Sequence, residues 1–379
     1  MSARTGPAVE RVGVVGGGVA GLGVAILLAE AGIAVELVEA TPDLSALGSG
    51  ITLQQNALRV LQRLGVLDEV QRLGYGFSSL GMRAPDGTLL AEVPDTRADD
   101  GGLPATVGMY RPDLARLLAE RAVSVGVALR GGVRATGLDQ DATGVVLSCS
   151  DGTRARYDLV IGADGVRSWT RGELGIDLEP EPVGMGIWRA FTRRPASVTR
   201  TDLCYGGAAH IAGFCPTGED SLYAYLVEDA RDRSTLGPEQ RLATMRELAE
   251  HYHGPWDEIR DDLVDPSRVH YTWFEWHLLD GPWHRGRTVL IGDAAHCCPP
   301  TLAQGAAQAL EDALVLAELL TTRPALDDAL WADFGARRLP RARAVVEGSV
   351  QLCRSLRDGD QAGVPQLMGR MSALIGQAP

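Results

Sequence analysis

The sequence predicts an α/β protein, with one domain of alternating strands and helices, a second domain built on a mixed or antiparallel sheet, and helices at the C-terminal end. Three observations lead to this class. The chain has 379 residues, more than one hydrophobic core usually supports. Its N-terminal part reads as strand, glycine turn, helix and strand. Residues 175–279 instead alternate apolar and polar positions and carry aromatic side chains, as antiparallel strands do.

The composition excludes several kinds of function. No lysine occurs among the 36 basic residues, so neither Schiff-base chemistry nor a P-loop lysine is available. The net charge of −13 argues against nucleic acid or an anionic membrane as the main partner. The six cysteines show no C-x-x-C pairing and we find no signal peptide, so we expect a cytoplasmic protein. The uncharged run from Val12 to Ala29 contains six glycines, which favours a buried strand and helix over a membrane span.

The N-terminal segment carries the pattern of a Rossmann-like nucleotide-binding unit. Val12–Val15 predicts a buried strand, a helix follows as far as Ala31, and Gly32 can end it. The turn between them satisfies G-x-G-x-x-G, and its predicted contact residues are Gly16, Gly18, Val19, Ala20 and Gly21. The first glycine permits a tight turn, the second lets the backbone approach a pyrophosphate, and the third lets the helix pack closely. The helix N-terminus offers free N–H groups to that anion.

The second strand of this unit, Ala34–Val38, leads into an acidic residue, Glu39. A carboxylate in this position can accept hydrogen bonds from both hydroxyls of a ribose, and it would repel a 2′-phosphate. The bound nucleotide is therefore expected to be FAD or NAD rather than NADP.

Two later segments repeat a strand that runs into Gly and Asp. In YDLVIGADGVRSWTR, residues 157–171, the acid is Asp164, and in RTVLIGDAAHCCPP, residues 287–300, the strand Thr288–Ile291 leads to Asp293. An NAD dehydrogenase needs one Rossmann unit and has no reason for two further endings of this kind. A longer cofactor tethered at several places does, which favours FAD.

The three motifs, in this order, resemble the class A flavin-dependent monooxygenases. These are single-component aromatic hydroxylases with the para-hydroxybenzoate hydroxylase fold, and the salicylate hydroxylase branch is the most similar. The resemblance covers nearly the whole chain. It extends to GSGITLQQNALRVLQRLGVLDEV at 48–70, YRPDLARLLAERA at 110–122, GIWRAF at 186–191 and DFGARRLPRARAVVEGS at 333–349.

The resemblance implies a role in cofactor binding for each motif. The glycine turn and Glu39 would hold the ADP half of FAD. Arg111 would contact the cofactor near its phosphates and ribityl chain, and Asp164 would lie on the pyrophosphate side, near where the family engages NAD(P)H. Asp293 would hydrogen-bond the ribityl hydroxyls.

The resemblance also implies how the flavin ring is held. Pro300 would sit beside the isoalloxazine, and Gln304, Gly305 and Ala306 would present backbone N–H groups to its N1/O2 edge. A helix N-terminus in this position stabilises the anionic reduced flavin. The chain departs from the family at Ala307, where many relatives have an asparagine.

The same segment invites a different interpretation, since Asp293, His296, Cys297 and Cys298 lie within six positions. Zinc ligands are usually spaced by two to four residues because immediate neighbours point in different directions. We therefore expect no metal site. The cysteines are expected to pack as small buried residues, and His296 to serve as a buried hydrogen-bonding group rather than a catalyst.

The region after residue 175 supplies the candidate substrate contacts. Its predicted strands are Gly186–Thr192, Leu203–Phe214, Ser221–Glu228 and Arg268–Leu278, with residues 73–103 adding to the same sheet. Any of Arg189, His210 and Tyr223 could orient or deprotonate a phenolic or carboxylate substrate. Ordinary sheet packing or a surface position remains the alternative for each.

The predicted organisation has three parts. Residues 1–72, 104–174 and 280–335 would form a discontinuous FAD-binding domain, residues 73–103 and 175–279 a substrate-binding sheet domain, and residues 336–379 a C-terminal helical segment.

The function implied by the resemblance is hydroxylation of a small aromatic or heteroaromatic substrate, using FAD, NADH or NADPH, O2 and a flavin C4a-hydroperoxide. Arg189, His210, Tyr223 and Pro300 are the candidate catalytic residues. A monomer or homodimer is expected. A non-oxygenating oxidase or reductase, a Baeyer–Villiger or epoxidising oxygenase, and a nucleotide-sensing module without activity remain alternatives.

Overall fold

The computed structural model describes residues 7–43, 50–94, 103–360 and 362–379; most of the predicted DDGGLP loop at 99–104 lies outside them. Within these ranges the strands are β1 Arg11–Val15, β2 Ala34–Glu39, β3 Gly50–Gln54, β4 Tyr75–Phe77, β5 Ser79–Arg83, β6 Leu89–Pro94, β7 Thr106–Tyr110, β8 Ala128–Gly131, β9 Ala135–Asp141, β10 Gly144–Cys149, β11 Arg154–Tyr157, β12 Leu159–Gly162, β13 Glu181–Arg193, β14 Thr201–Tyr205, β15 Ile211–Pro216, β16 Ser221–Asp229, β17 Val269–Leu278, β18 His284–Arg285, β19 Thr288–Leu290 and β20 His296–Cys297. The helices are α1 Val19–Glu30, α2 Gln55–Arg63, α3 Leu67–Leu73, α4 Arg111–Ser124, α5 Trp169–Glu173, α6 Pro238–Ala249, α7 Pro255–Asp262, α8 Gly305–Thr322, α9 Asp328–Asp358 and α10 Val364–Gly376.

The first layer is a six-stranded sheet in the order β18-β19-β12-β1-β2-β8, parallel except for the β18–β19 hairpin. Helices α1, α4 and α8 cover one face, and the small antiparallel sheet β9–β11 covers the other. The predicted strand–turn–helix–strand unit is confirmed. Helix α1 ends at Glu30, and Gly32 follows with a φ of +84°, as a helix stop requires. None of the helices within the described residues combines the length and apolar character needed to cross a membrane.

The second layer is an eight-stranded sheet in the order β20-β17-β13-β16-β15-β14-β5-β6. Its pairings are antiparallel except between β14 and β5, so the predicted mixed or antiparallel sheet is confirmed. One face packs on α6 and α7 through a core that includes Trp188, Phe214 and Trp256. The other face packs on α9 through Ile187 and Phe274, among others.

One predicted strand is wrong. The stretch Leu203–Phe214 forms two antiparallel strands, β14 and β15, rather than one. Gly206 and Gly207 lie in the turn between them, with φ values of +85° and +89°. Such backbone angles are available to glycine at little cost, so the glycine pair allows the chain to reverse.

The structure places several segments that lie near the predicted domain limits. Strands β5 and β6 extend the second layer, whereas β4 pairs with β7 in a separate small sheet. Strand β20 joins the second layer from within the segment 280–335. Helix α9 runs through position 335/336, so that predicted limit falls inside a helix. The other domain limits stay a prediction.

The two layers are pressed together at strands β3 and β7. A Cβ added at Gly50 would lie 2.5 Å from the Tyr223 Cβ, and one added at Gly108 would lie 2.0 Å from the Pro216 carbonyl oxygen. Neither position has room for a side chain. This close approach places the end of β7, and Arg111 just beyond it, beside strand β16.

We predict that Gly108→Ala lowers the free energy of unfolding by at least about 2 kcal/mol, because the added methyl group must displace the backbone of β15. Urea unfolding measures the loss. Gly137→Ala is the matched control, since a Cβ in that strand would meet only the Ser148 side chain, at 3.5 Å. Equal stability of the two variants would contradict the tight contact between the layers.

Candidate active site

The glycine turn forms an open cradle at the N-terminus of α1. Gly16 has a φ of +109°, and a Cβ there would lie 2.3 Å from the Ala163 carbonyl oxygen. A Cβ at Gly21 would lie 2.0 Å from the Gly16 carbonyl oxygen, whereas one at Gly18 would meet nothing within 4 Å. No acidic residue or side-chain cap occupies the first turn of α1. The N–H groups there are free for an anion, so the cradle fits a pyrophosphate.

Glu39 closes this cradle from strand β2. Its carboxylate accepts hydrogen bonds from the Gly17 N–H at 2.7 Å and the Thr41 N–H at 2.8 Å. Burial raises the pKa of Glu39, but the hydrogen bonds from Thr41 and Gly17 outweigh it and leave the pKa below its usual value. The group is therefore an ionised acceptor at the edge of the cradle, as a ribose site requires. Its bond to the glycine turn itself was not predicted from the sequence.

Asp164 accepts hydrogen bonds from the start of the short helix α5, whose N-cap is Ser168. One carboxylate oxygen accepts from the Ser168 hydroxyl, and the other accepts from the Thr170 N–H at 2.8 Å and the Thr170 hydroxyl at 2.9 Å. The buried Arg171, which follows in the same helix, donates to the Ala294 carbonyl oxygen at 3.0 Å. The second motif is therefore tied directly to the third.

Arg111 and Asp293 interact electrostatically, and both are open to solvent in a concavity of the surface. Both side chains are exposed, yet protein surrounds them closely enough to desolvate their charges. Desolvation lowers the pKa of Arg111, against the effect of Asp293, and it raises the pKa of Asp293, against the effects of His296 and Arg111. An open, partly desolvated pair of opposite charges suits the hydroxyl and phosphate groups of a cofactor chain.

The third motif continues into a turn that ends at the N-terminus of α8. Pro300 is exposed and begins a short 3-10 turn, and Ala303 has a φ of +53°. Ala303 is the only residue other than glycine with a positive φ among those described, and such a conformation costs of the order of 1 kcal/mol. Gln304 caps the helix, and Gly305 and Ala306 are half-buried in its first turn, which contains no acidic residue.

A buried polar network lies directly beneath this turn. The Asn56 Nδ2 donates to Gln304 Oε1 at 3.0 Å and to Glu311 Oε1 at 2.8 Å. Arg338, which is completely buried, donates to Glu311 at 2.7 Å and to Asp312 at 2.7 Å. The network connects β3–α2, α8 and α9, and no pattern in the sequence indicates it.

The predicted roles of the three residues after Asp293 can be compared with this network. His296 is buried and its Nε2 lies 2.6 Å from Asp312 Oδ2, which is a hydrogen-bonding position as predicted. Cys297 and Cys298 are free thiols; burial raises the pKa of both, that of Cys298 to about 12. Within the described residues no three His, Cys, Asp or Glu side chains form a group that could hold a metal ion.

Arg189 and Tyr223 come together on the sheet face that looks toward Arg111. The Arg189 Nε donates to the Tyr223 hydroxyl at 3.2 Å. Burial raises the pKa of Tyr223, although Arg189 and Arg111 both oppose the shift. Close by, the ring of Phe191 on β13 packs against that of Tyr110 at the end of β7, with centroids 4.3 Å apart. This cluster can hold a planar ring and an anionic group.

His210, the third candidate residue of this region, does not join the cluster. It lies in the turn before β15, where its Nε2 is 3.0 Å from Asp229 Oδ1. Side chains alternate along a strand. Ala212 and Phe214, which share its parity, pack in the core against α6 and α7, on the face opposite Tyr223. The alternation was readable from the sequence, but the choice of face was not.

Comparison with known proteins is consistent with this site. The chain matches the family described as FAD binding domain over residues 10–349. It is 32% identical over 364 residues to YetM of Bacillus subtilis (strain 168), covering 96% of this chain and 98% of that protein. It is also 32% identical over 354 residues to the 6-hydroxynicotinate 3-monooxygenase of Pseudomonas fluorescens, covering 88% and 89%.

Solved structures are similar to this fold over nearly the whole chain. The tetrameric form of 2-methyl-3-hydroxypyridine-5-carboxylic acid oxygenase superposes with a TM-score of 0.78 at 28% identity, over 93% of both chains. Klebsiella pneumoniae HpxO, complexed with FAD and uric acid, superposes with a TM-score of 0.80 at 22% identity, over 97% of this chain and 92% of that chain, which supports the fold.

The fold and the site therefore define an FAD-dependent monooxygenase, which confirms the predicted class and cofactor. The chain belongs to the FAD binding domain family. The residues present fit FAD: the open glycine cradle suits the pyrophosphate, and the concavity between Arg111 and Asp293 suits the chain that leads to the flavin.

We predict that Asp293→Asn weakens FAD binding about tenfold or more, because a hydrogen bond to a charged acceptor contributes about 1.5–3 kcal/mol. Release of flavin fluorescence on dilution measures the dissociation constant. Asp280→Asn is the control, since Asp280 is exposed and pairs with Arg343. An unchanged dissociation constant in the Asp293 variant would remove that residue from the cofactor site.

The stability of the protein should also depend on His277, a buried residue of β17. Burial, followed by the charge of Arg171, lowers the pKa of His277 to about 4. At pH values above the ordinary pKa, about 6.5, the neutral ring therefore contributes its full stabilisation to the folded state. This contribution is lost as the pH falls toward 4.

We predict that titration of His277 lowers the free energy of unfolding of the wild type by about 3 kcal/mol between pH 6.5 and pH 4, and that His277→Phe does not show this decrease. Urea unfolding at a series of pH values compares the two proteins. Parallel stability curves for the variant and the wild type would show that His277 does not titrate in this way.

Proposed function

We propose that this enzyme uses NADH or NADPH and O2 to hydroxylate a small aromatic or heteroaromatic ring that carries a carboxylate or phenolic oxygen. The observation that carries the proposal is the pair Arg189–Tyr223 beside Arg111, on the sheet face that looks into the cofactor concavity. The names of the relatives support the substrate class, since they include a 6-hydroxynicotinate 3-monooxygenase and a 3-amino-4-hydroxybenzoate 2-monooxygenase.

Arg189 is the substrate-orienting cation in this proposal. Its Nε is bonded to Tyr223 and its Nη1 to the Thr272 hydroxyl, which fixes the plane of the guanidinium group. The Nη2 makes no hydrogen bond to any described residue, so it remains available to a substrate oxygen. A carboxylate or phenolate bound there would have its charge compensated.

Tyr223 acts as a hydrogen-bond donor rather than a base. Its raised pKa keeps the phenol protonated at neutral pH, and its oxygen already accepts from Arg189, so its proton points to another acceptor. The substrate oxygen is the natural partner. The ring pair Tyr110–Phe191 would supply an apolar wall that keeps water from the reacting atoms.

When bound, FAD accepts a hydride from NAD(P)H and activates O2. The glycine cradle, Arg111 and Asp293 would hold it, and Pro300 would lie beside the flavin ring. The N-terminus of α8, in which Gly305 and Ala306 are the first two residues, would stabilise the anionic reduced form through residues 304–306.

Two further properties are proposed with the function. All six cysteines are free, which supports a reducing compartment such as the cytoplasm. The chain would act as a monomer or homodimer, without nucleic acid or membrane as partner, in keeping with its net charge of −13.

A panel of hydroxylated benzoates, phenols and pyridine carboxylates, with ketones and alkenes as comparison compounds, tests the proposal. We expect at least one compound to stimulate NAD(P)H oxidation and to gain a single oxygen by mass spectrometry. NAD(P)H oxidation with every compound unchanged and stoichiometric H2O2 would instead support a non-oxygenating oxidase. Oxygen insertion into a ketone or alkene alone would move the enzyme to another oxygenase class.

With the substrate in hand, we predict that Arg189→Gln raises KM at least tenfold, because it removes a charge-assisted contact worth about 1.5–3 kcal/mol, and that Tyr223→Phe lowers kcat/KM several-fold. Steady-state kinetics measures both. His210→Gln is the control and should leave both parameters unchanged, since His210 lies in the turn before β15, beside Asp229 and apart from the Arg189–Tyr223 pair. An effect of His210→Gln as large as that of Arg189→Gln would contradict this geometry.

A further inference from the structure

Asn56 is the only asparagine in the 379 residues of the chain, and it is buried at the start of α2. Its amide donates two hydrogen bonds, one to the Gln304 side chain at 3.0 Å and one to Glu311 at 2.8 Å. Burying an amide costs little free energy when both of its N–H groups donate hydrogen bonds. Removing the Asn56 amide would leave two buried acceptors without this donor.

The turn before α8 is held from the same side by a second amide. Gln54, the last residue of β3, donates to the Leu302 carbonyl oxygen at 3.0 Å, and Gln304 Nε2 donates back to Gln54 Oε1 at 2.9 Å. The side chain of Gln304 is completely buried. Its position, and with it the direction of the N–H groups that follow, is fixed by residues from β3 and α2.

The network beneath Asn56 is balanced in charge. Glu311 and Asp312 contribute two negative charges, and Arg338 and Arg341 contribute two positive charges within hydrogen-bonding distance of them. The arginines lower the pKa of Glu311 against the effect of burial, so the carboxylate stays ionised. A neutral amide at position 56 keeps this balance, and a carboxylate in its place would not.

We propose that Asn56 is a positioning residue for the reduced cofactor: it holds Gln304 so that the backbone N–H groups of residues 305 and 306 stay directed at the flavin edge. This inference rests on the proposed placement of that edge against residues 304–306. The role goes beyond stability, because N–H groups that are fixed in advance stabilise the extra negative charge of the reduced flavin more than they stabilise the oxidised ring.

The test measures the reduction potential of bound FAD by spectroelectrochemical titration without substrate, so it does not depend on the hydroxylation assay. We expect Asn56→Ala to weaken the preference for reduced over oxidised flavin about tenfold, which lowers a two-electron potential by about 30 mV. Asn56→Asp keeps the size of the side chain but adds a carboxyl group next to Glu311, and it should lower the potential further.

Arg200→Gln is the matched control, since Arg200 pairs with the buried Asp202 in a separate cluster on the sheet domain. It should lower the melting temperature without changing the potential. Gln54→Ala, at a half-buried position, provides a milder variant that weakens the same turn and should shift the potential in the same direction. An unchanged potential in the Asn56 and Gln54 variants, with melting temperatures lowered as in the control, would reduce Asn56 to a structural role.

Discussion

The ion pairs of Arg338 with Glu311 and Asp312 are the interaction on which the rest of the site depends. All three side chains are completely buried, and each charge would be costly if left alone. Because Arg338 belongs to α9 and the carboxylates belong to α8, the pairs fix the two helices in one register. Asp312 also accepts from the Gly292 N–H at 2.9 Å and lies against His296, so the turn carrying Asp293 is fixed by the same charges.

These buried ion pairs explain the unusual residue composition of the segment 291–313. The cluster of Asp293, His296 and two cysteines has the composition of a metal site, but its side chains contact different parts of the protein. His296 turns inward to Asp312, Cys297 contacts the Glu275 carbonyl oxygen, and Asp293 alone faces the concavity. The buried charges hold the turn, Ala303 bends it with a φ of +53°, and α8 begins directly after it.

The sequence predicts the parts of this site that depend on local spacing. The glycine turn, the acid at Glu39, the strand endings at Asp164 and Asp293 and the Gln304–Ala306 helix start all follow from short patterns. The network could not be predicted in the same way, because Asn56 and Glu311 are 255 residues apart and neither position has a pattern of its own. His210 shows the same limit, since alternation reveals which residues share a face, but it does not reveal which face packs on α6 and α7 and which packs on α9.

The central claim is that the turn above the Arg338 cluster holds the flavin edge, and a crystal structure of the FAD-loaded enzyme tests it most directly. We expect the pyrophosphate at the N-terminus of α1, a ribityl hydroxyl within hydrogen-bonding distance of Asp293, and the N1/O2 edge against the backbone N–H groups of residues 305 and 306. An isoalloxazine ring bound away from residues 300–306, with Asn56 and Gln304 still paired, would contradict it.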